Sequence, residues 1–219
     1  MKLVQCWDDG VTTDIRLVEL LRRHGARASF NLNAGLHGAQ RQPGWMHRGT
    51  EVRRLALGEL RDVYQGYTVA NHSLTHPRLD ALPIAKARRE IVQGRERLQQ
   101  HFGQPVTGFA YPFGACNQAV AAAVRDAGHV YARTTGPAEQ GSVPIDAMAC
   151  HPNSHFLAPD FWQRFDQARE GGAFYFWGHS YEMVTEAMWT GFEATLQRLG
   201  QTPGARWCEV HELFEGECA

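Results

Sequence analysis

The sequence predicts an α/β fold in which about seven βα units surround a mostly parallel sheet or barrel. Short apolar runs alternate with longer amphipathic stretches from one end of the chain to the other. The 219 residues, 43% of them hydrophobic, are enough to bury one sizeable core. We therefore expect residues 1–219 to form a single domain, with its chemistry in loops that follow the strands.

The N-terminal half contains three predicted strands and two predicted helices. The strands are the apolar runs at residues 3–7, 28–32 and 67–70. Thr12, Thr13 or Asp14 can cap the first helix, whose apolar positions recur at helical spacing until Gly25 ends it. A loop rich in glycine and histidine occupies residues 35–45, and we predict a helix around residues 53–64.

The C-terminal half continues the alternation. A charged segment without internal proline predicts a long surface helix over residues 84–102. Further strands are predicted near residues 108–111, 129–133, 173–177 and 206–210. Further helices are predicted near residues 118–126, 160–169 and 185–199. Together these segments complete the repeated βα pattern.

The charge balance indicates which partners are unlikely, and the cysteine content indicates the redox state of the thiols. The 22 basic and 23 acidic residues give a net charge of -1, so no field of one sign attracts nucleic acid or an anionic membrane. No signal peptide and no run of about 18 apolar residues is found, so we expect a soluble, cytoplasmic protein. The 5 cysteines are odd in number and widely spaced, which favours reduced thiols.

Two predicted strand ends carry side chains that bind metals. Asp8 and Asp9 close the first strand, and Gly10 permits a sharp exit. His72 and His76 follow the third strand at a spacing that would place them on one face of a helical turn. Two imidazoles and one carboxylate suit Zn²⁺ or a similar ion with positions open for water and substrate. Capping or loop histidines and a solvated acidic turn remain the alternative.

Four segments of the chain resemble the motifs of one family. Residues 6–10, CWDDG, resemble its TFDDG or TWDDG motif, and residues 72–77, HSLTHP, match H(S/T)xxHP. Residues 110–114, AYPFG, resemble RxPYG, and residues 174–179, FYFWGH, resemble a hydrophobic strand ending in LxH. The order of the motifs also agrees. The chain is thus similar to the polysaccharide deacetylase family, also called the NodB homology or carbohydrate esterase 4 family.

The resemblance implies a distorted (β/α)7-type barrel and a metal-dependent hydrolase that removes an acyl group, N-acetyl above all, from a carbohydrate or related amide. Asp9, His72 and His76 would bind one divalent ion, Zn²⁺ first and Co²⁺, Ni²⁺ or Mn²⁺ as alternatives. Asp8 would be the base that deprotonates the attacking water, and His179 the acid that protonates the leaving amine.

The remaining roles implied by the resemblance concern the oxyanion and the substrate pocket. The backbone N–H of Phe113 would stabilise the oxyanion. Trp177 occupies the position of the family leucine that lines the acetyl pocket, and Tyr111 would also line this pocket.

The chain departs from the family pattern at two places. Ala110 stands where the family has an arginine that orients the base, and we hypothesise that Arg133, at the next strand end, replaces it. The family motif DxxDW is not recognisable in residues 143–155. Asp146 or Glu182 is expected to orient His179 in its place.

Two further histidines fall within the stretch that lacks the DxxDW motif. For His151 and His155, again four apart, pocket lining or a role in loop structure is favoured over a second metal site.

Several functions stay open at this stage. The expected substrate is a small amide or a soluble oligosaccharide or amino sugar, and its identity, the native metal and the oligomeric state are left open. Opening of a cyclic amide is the enzymatic alternative, and a degenerate deacetylase that binds metal and sugar without turnover is another. A non-haem Fe(II) oxygenase shares the two-histidine, one-carboxylate set. Asp8 argues against the oxygenase, because hydrolysis needs a base beside the water.

Overall fold

Residues 1–136 and 146–214, the part of the chain that the computed structural model describes, contain ten strands, six α-helices and six short 3₁₀ helices. The strands are β1 Lys2–Asp8, β2 Ser29–Leu32, β3 Gln42–His47, β4 Thr50–Arg54, β5 Thr68–Asn71, β6 Gly108–Ala110, β7 Tyr131–Arg133, β8 Ser154–His155, β9 Ala173–Gly178 and β10 Arg206–Cys208. The helices are α1 Asp14–Arg23, α2 Leu60–Val63, α3 Ile84–Phe102, α4 Gln118–Asp126, α5 Phe161–Ala168 and α6 Glu186–Gly200. Residues 143–145, which begin the stretch without a DxxDW motif, lie outside the described residues.

The main sheet is a curled, parallel half-barrel whose seven described strands run in the order β7-β6-β5-β2-β1-β9-β8. β10 is an eighth strand that pairs with the first half of β1, while β2 pairs with the second half. Every pairing in this sheet is parallel, so the carboxyl ends of its strands meet at one edge. The predicted α/β fold with a distorted (β/α)7-type barrel is therefore confirmed.

The strands are buried because helices cover the sheet, which explains why they appear in the sequence as continuous apolar runs. On one side Trp7 packs edge-on against Phe156 and Phe192, with ring centroids 5.0 and 5.2 Å away. Farther along the sheet, α3 approaches the end of β5 at Gly94. A Cβ atom at Gly94 would lie 2.5 Å from Oδ1 of Asn71. This close approach fixes the loop that follows β5.

The helix predicted around residues 53–64 is present only over residues 57–63, as a 3₁₀ turn followed by α2, and its predicted first residues are wrong. Residues 50–54 form β4, which pairs antiparallel with β3, and α2 is limited to Leu60–Val63. The predicted loop of residues 35–45 likewise ends in β3, which begins at Gln42. The hairpin forms because β4 also binds the turn after β1: the Thr12 N–H donates to the Arg53 carbonyl at 2.8 Å. Such long-range backbone bonds override local helix propensity.

The other predicted strands and helices are present, with ends that differ by a few residues. Among the described residues, none of the helices combines the length and the apolar character that crossing a membrane requires.

Candidate active site

The first strand delivers two carboxylates in different directions. Asp8 is the last residue of β1, and the backbone then turns through positive φ values of 84° at Asp9 and 67° at Gly10. Glycine is needed at position 10 for space as well as for φ, because a Cβ there would lie 2.6 Å from the ring of His37. The sharp turn separates the two acids, so they can hold different partners.

The loop that carries His72 and His76 is not a helical turn, contrary to the prediction. Ser73 and His76 have φ values of 64° and 62°, which no α-helix contains. The loop is held by hydrogen bonds instead: the His76 N–H donates to Oγ of Ser73 at 3.0 Å, and the Leu74 N–H donates to the Glu90 carbonyl on α3 at 3.0 Å. Contacts with α3, which the local sequence does not reveal, decide its shape.

The two loops nevertheless bring Asp9, His72 and His76 together. Nε2 of His72 lies 3.1 Å from Nε2 of His76, which lies 3.9 Å from Oδ1 of Asp9. Nitrogen ligands of a tetrahedral zinc ion, each about 2 Å from the metal, are separated by about 3.3 Å. The spacing of the two imidazoles therefore suits a shared ion.

The chemical state of these groups also fits a cation. Oδ1 of Asp9 is buried and has no hydrogen-bond partner among the described residues. Nδ1 of His72 donates to the Ala110 carbonyl at 2.7 Å, so its Nε2 carries the lone pair. Burial lowers the pKa of His72 to about 4 and also lowers the pKa of His76. Neutral imidazoles and an unsatisfied carboxylate oxygen are the donors that a divalent metal requires.

Asp8 lies beside this cluster with its own partners. Nδ2 of Asn31 donates to Oδ1 of Asp8 at 2.7 Å, and the Arg133 guanidinium donates to Oδ2. Nε2 of His179 lies 3.9 Å from the same Oδ2. Burial raises the pKa of Asp8, but the charge of Arg133 and the nearby imidazoles outweigh it, and the pKa lies well below its usual range. Asp8 is thus an ionised carboxylate between the metal cluster and His179.

His179 follows β9 and is held by Glu182. Its Nδ1–H donates to Oε2 of Glu182 at 3.2 Å, and the His155 Nε2–H donates to the same oxygen at 2.9 Å. Burial lowers the pKa of His179, but Glu182, Asp8 and Asp9 raise it by more, so it lies above its usual value. Glu182 is therefore the acid that contacts His179.

Three sequence expectations in this region differ from the structure. Asp146 accepts from the Met148 N–H at 2.8 Å in a 3₁₀ turn, and no hydrogen bond or ion pair joins it to His179 among the described residues. His151 is exposed and bonds to Thr134 instead of lining the cavity. His155 stands behind the cavity against Glu182, where His155, His179 and Glu182 form a second compact group.

A cavity of about 630 Å³ opens over these groups. Among the described residues it is lined by Asp8, Asp9, Trp45, Arg54, His72, His76, Tyr111, Phe113, Thr135, Trp177, His179 and Tyr181. Phe113 has a positive φ of 59° and is 61% exposed at the mouth. The predicted pocket residues Tyr111 and Trp177 are thus in place.

Four residues that line the cavity, Trp45, Arg54, Thr135 and Tyr181, are not among the predicted site residues. Trp45 lies at the end of the predicted loop of residues 35–45. Arg54 gave no signal, because residues 53–64 looked helical and the hairpin that aims its side chain was not predicted. Tyr181 follows His179 by two residues, and that proximity to a predicted acid is the one signal that could have indicated it.

Comparison with known proteins gives the family to which the chain belongs. The profile of a family described as polysaccharide deacetylase matches residues 2–132. This match spans more than half of the chain, which therefore belongs to the polysaccharide deacetylase family. Members of this family are hydrolases that act on carbohydrate amide bonds. A comparison with curated proteins gives no match.

Solved structures support the same fold. The Streptococcus pyogenes deacetylase PplD in complex with acetate is 19% identical with a TM-score of 0.55 over 67% of this chain and 61% of that chain. The Xyl-CE4 domain of a multidomain xylanase, from the hindgut metagenome of Trinervitermes trinervoides, is 20% identical with a TM-score of 0.58 over 97% and 89%. A mutant of peptidoglycan deacetylase PdaC from Bacillus subtilis is 14% identical with a TM-score of 0.59 over 97% and 89%.

Proposed function

We propose that this protein is a metal-dependent hydrolase that removes an N-acyl group, chiefly N-acetyl, from a carbohydrate. The observation that carries the proposal is the meeting of Asp9, His72 and His76 with an ionised Asp8 beside them. Family membership supports the carbohydrate amide as the bond attacked. The unsatisfied Oδ1 of Asp9 supports the metal.

Asp9, His72 and His76 would hold one divalent ion of the Zn²⁺ type. When bound, the ion would polarise the acyl oxygen and lower the pKa of the attacking water. The three ligands come from two loops. Positive φ values and a hydrogen bond from the His76 N–H to Ser73 fix the backbone of these loops, so the three side chains are preorganised to bind the ion.

Asp8 serves as the general base. Asn31 and Arg133 fix its two oxygens, which points the carboxylate at the cavity and keeps it ionised. The proton of the attacking water passes to Asp8 while the water oxygen bonds to the acyl carbon. Because Asp8 would otherwise be a weak base, it depends on the ion to acidify the water.

His179 serves as the general acid on the other side of the cavity. As the tetrahedral intermediate collapses, the C–N bond breaks and the leaving nitrogen takes a proton from Nε2 of His179. Glu182 holds Nδ1, so Nε2 faces the reacting atoms. The products are a carboxylic acid and a free amine. The Phe113 N–H supplies a donor to the oxyanion.

Trp177 forms the floor of a pocket for the acyl methyl group. The Arg133 guanidinium stacks on its ring at 4.9 Å and the His155 ring packs edge-on at 4.8 Å. These contacts fix the orientation of the indole beside the position proposed for the acyl methyl group.

Zinc binding and acetate release test the proposal together. The metal-free protein is titrated with Zn²⁺ by calorimetry, and acetate is assayed with N-acetylated oligosaccharides. One site is expected in the wild type, with binding and acetate release both lost in His76→Ala. His24→Ala, which changes a histidine paired with Glu193 away from the cavity, is the matched control.

Three outcomes would contradict the proposal. Unchanged zinc affinity in His76→Ala would show that His76 is not a metal ligand and would contradict the assigned ligand set. Tight zinc binding by the wild type without acetate release from any N-acetylated sugar would identify a degenerate binding protein. Activity that required Fe(II) and O₂ would identify an oxygenase.

A further inference from the structure

Arg54, the last residue of β4, is a buried cation with donors to spare. It is 8% exposed, and both of its hydrogen bonds leave from Nη1, to the Asp9 carbonyl at 2.6 Å and Oδ1 of Asn33 at 3.2 Å. Nη2 lies 3.7 Å from Oδ1 of Asp9, which is beyond hydrogen-bond distance. Among the described residues, Nη2 and Nε therefore have no acceptor, although the side chain lines the cavity.

Two aromatic residues with polar hydrogens adjoin Arg54. The guanidinium lies over the Trp45 ring at 5.3 Å, and Trp45 meets Tyr181 edge-on at 5.1 Å. Both aromatic residues line the cavity, and in the described part of the chain neither the Tyr181 hydroxyl nor the Trp45 indole N–H has a hydrogen-bond partner. Three side chains thus offer hydrogen-bond donors to this part of the cavity.

The charges around the cavity leave Arg54 without a strong partner. Asp8 is paired with Arg133. Under the proposed function Asp9 is a metal ligand, so its charge is shared with a divalent ion and no carboxylate is left for Arg54. A buried guanidinium is costly unless an anion accompanies it. This region therefore favours an incoming acceptor that bears a negative charge.

We infer that the substrate carries a carboxylate close to its N-acyl group and that Arg54 binds this carboxylate, with Trp45 and Tyr181 beside it. The inference rests on the proposed function and names its substrate class: N-acylated amino sugars that bear an acid group. A guanidinium binds a carboxylate through two parallel N–H groups, and Nε with Nη2 offers such a pair. The apolar faces of the aromatic rings suit the C–H face of a sugar.

A competing role for Arg54 is to hold the metal-ligand turn, since Nη1 donates to the Asp9 carbonyl. The two roles differ in what the loss of Arg54 would change. A carboxylate subsite affects acidic substrates alone. A positioning residue affects neutral and acidic substrates equally and weakens the binding of zinc.

The test compares sugars that differ in one acid group. Binding of N-acetylglucosamine, its C6-carboxylate analogue and N-acetylmuramic acid is measured by calorimetry on the zinc-loaded protein, with Asp8→Asn in every variant to prevent turnover. At least one acid should bind about tenfold or more tightly than the neutral sugar. Arg54→Gln should remove that preference and leave neutral-sugar binding and zinc affinity unchanged.

Matched variants keep the result interpretable. Arg53→Gln changes the exposed neighbour on the same strand and should retain the preference. Arg54→Lys keeps the positive charge and should retain part of the preference for acidic sugars. This variant tests the inference if Arg54→Gln does not fold. Tyr181→Phe should weaken the acid selectively.

Three results would overturn the inference. Equal binding of the neutral and acidic sugars by the parent protein would remove the subsite. An equal loss for all sugars in Arg54→Gln, together with weaker zinc binding, would assign Arg54 to positioning Asp9. Tighter binding of N-acetylglucosamine 6-phosphate than of every acid, lost in Arg54→Gln, would assign a phosphate.

Acetate release by the otherwise unmodified enzyme is assayed in parallel. An Arg54-dependent preference without acetate release would contradict the proposed function and not the subsite. Acetate release without a preference for acidic sugars would contradict the subsite and not the proposed function.

Discussion

Arg133 and Ala110 are register partners on neighbouring strands, and the Arg133 guanidinium donates to the carboxylate of Asp8. Ala110 stands where the related motif has its arginine. Within this parallel sheet, the guanidinium therefore reaches the base from β7 instead of β6. The arrangement supports the hypothesis that Arg133 replaces the missing arginine, which needs a functional test.

Loss of Arg133 should leave a buried carboxylate without its cation. We expect Arg133→Ala to lower the free energy of unfolding by about 3–5 kcal/mol and to abolish most turnover. Arg133→Ala combined with Ala110→Arg moves the guanidinium to the adjacent strand. This double variant should recover part of the stability and part of the turnover. Denaturant unfolding and acetate release are the measurements. Full turnover in Arg133→Ala would contradict the replacement.

Removal of the proposed base should separate chemistry from metal binding. An amide in place of the Asp8 carboxylate cannot accept the proton, so we expect Asp8→Asn to lower kcat by about 10²–10⁴-fold. Zinc affinity, measured by calorimetry, should stay near that of the wild type, whereas Asp9→Asn should lose it. Wild-type turnover in Asp8→Asn would exclude this residue as the base.

The acid that orients His179 can be identified by a matched pair of variants. Glu182→Gln removes the charge that faces Nδ1 of His179, and we expect kcat to fall about 10–100-fold. Asp146→Asn changes the acid that caps a 3₁₀ turn and should leave kcat nearly unchanged. Steady-state acetate release decides between them. A larger loss in Asp146→Asn than in Glu182→Gln would reverse the assignment.

The buried carboxyl of Asp14 should make stability depend on pH. Burial raises its pKa from 3.8 to about 7, although Ser180, Tyr64 and Val11 donate hydrogen bonds to it. The folded protein then binds more protons than the unfolded chain between these values, so this group's contribution is greatest at low pH. It declines as pH rises towards about 7, by about 4 kcal/mol in total.

Asp14→Asn is the test of this linkage. The difference in unfolding free energy between wild type and variant, measured in denaturant from pH 4 to pH 8, should shift in favour of the variant as the pH rises. Other buried groups that titrate, such as His37 and His129, contribute equally to the wild type and the variant, so their effect cancels in the difference between the two unfolding free energies. A difference that is constant with pH would show that Asp14 ionises normally in the folded protein.

The strands and the members of the candidate metal cluster were predictable where the information is local. β1, β5 and β9 are apolar runs, and the acids and histidines that follow them are visible in the sequence. Strand ends meet at one edge of a parallel sheet, which is why the order of residues alone sufficed to group Asp9, His72 and His76.

The hairpin and the loop geometry were not predictable because distant contacts determine them. Residues 50–54 contain charged side chains that suit a helix surface, and only pairing with β3 and with the turn after β1 makes them a strand. The spacing of His72 and His76 also suits a helix, but the loop contains positive φ values at Ser73 and His76 and is hydrogen-bonded to α3 through Leu74. The sequence offers both Glu182 and Asp146 as acids that could orient His179. Only the folded structure shows that Glu182 contacts His179 and that Asp146 does not.

The attachment of β4 to the turn after β1 has a consequence for engineering. The Leu55 N–H donates to the Gly10 carbonyl at 3.0 Å, so the base of the hairpin is bonded directly to the turn that follows β1. The tip at Arg48 and Gly49, where φ is positive at both residues, is exposed and far from these bonds along the strand. Libraries confined to residues 48–50 are therefore expected to alter which substrates enter while sparing the catalytic geometry.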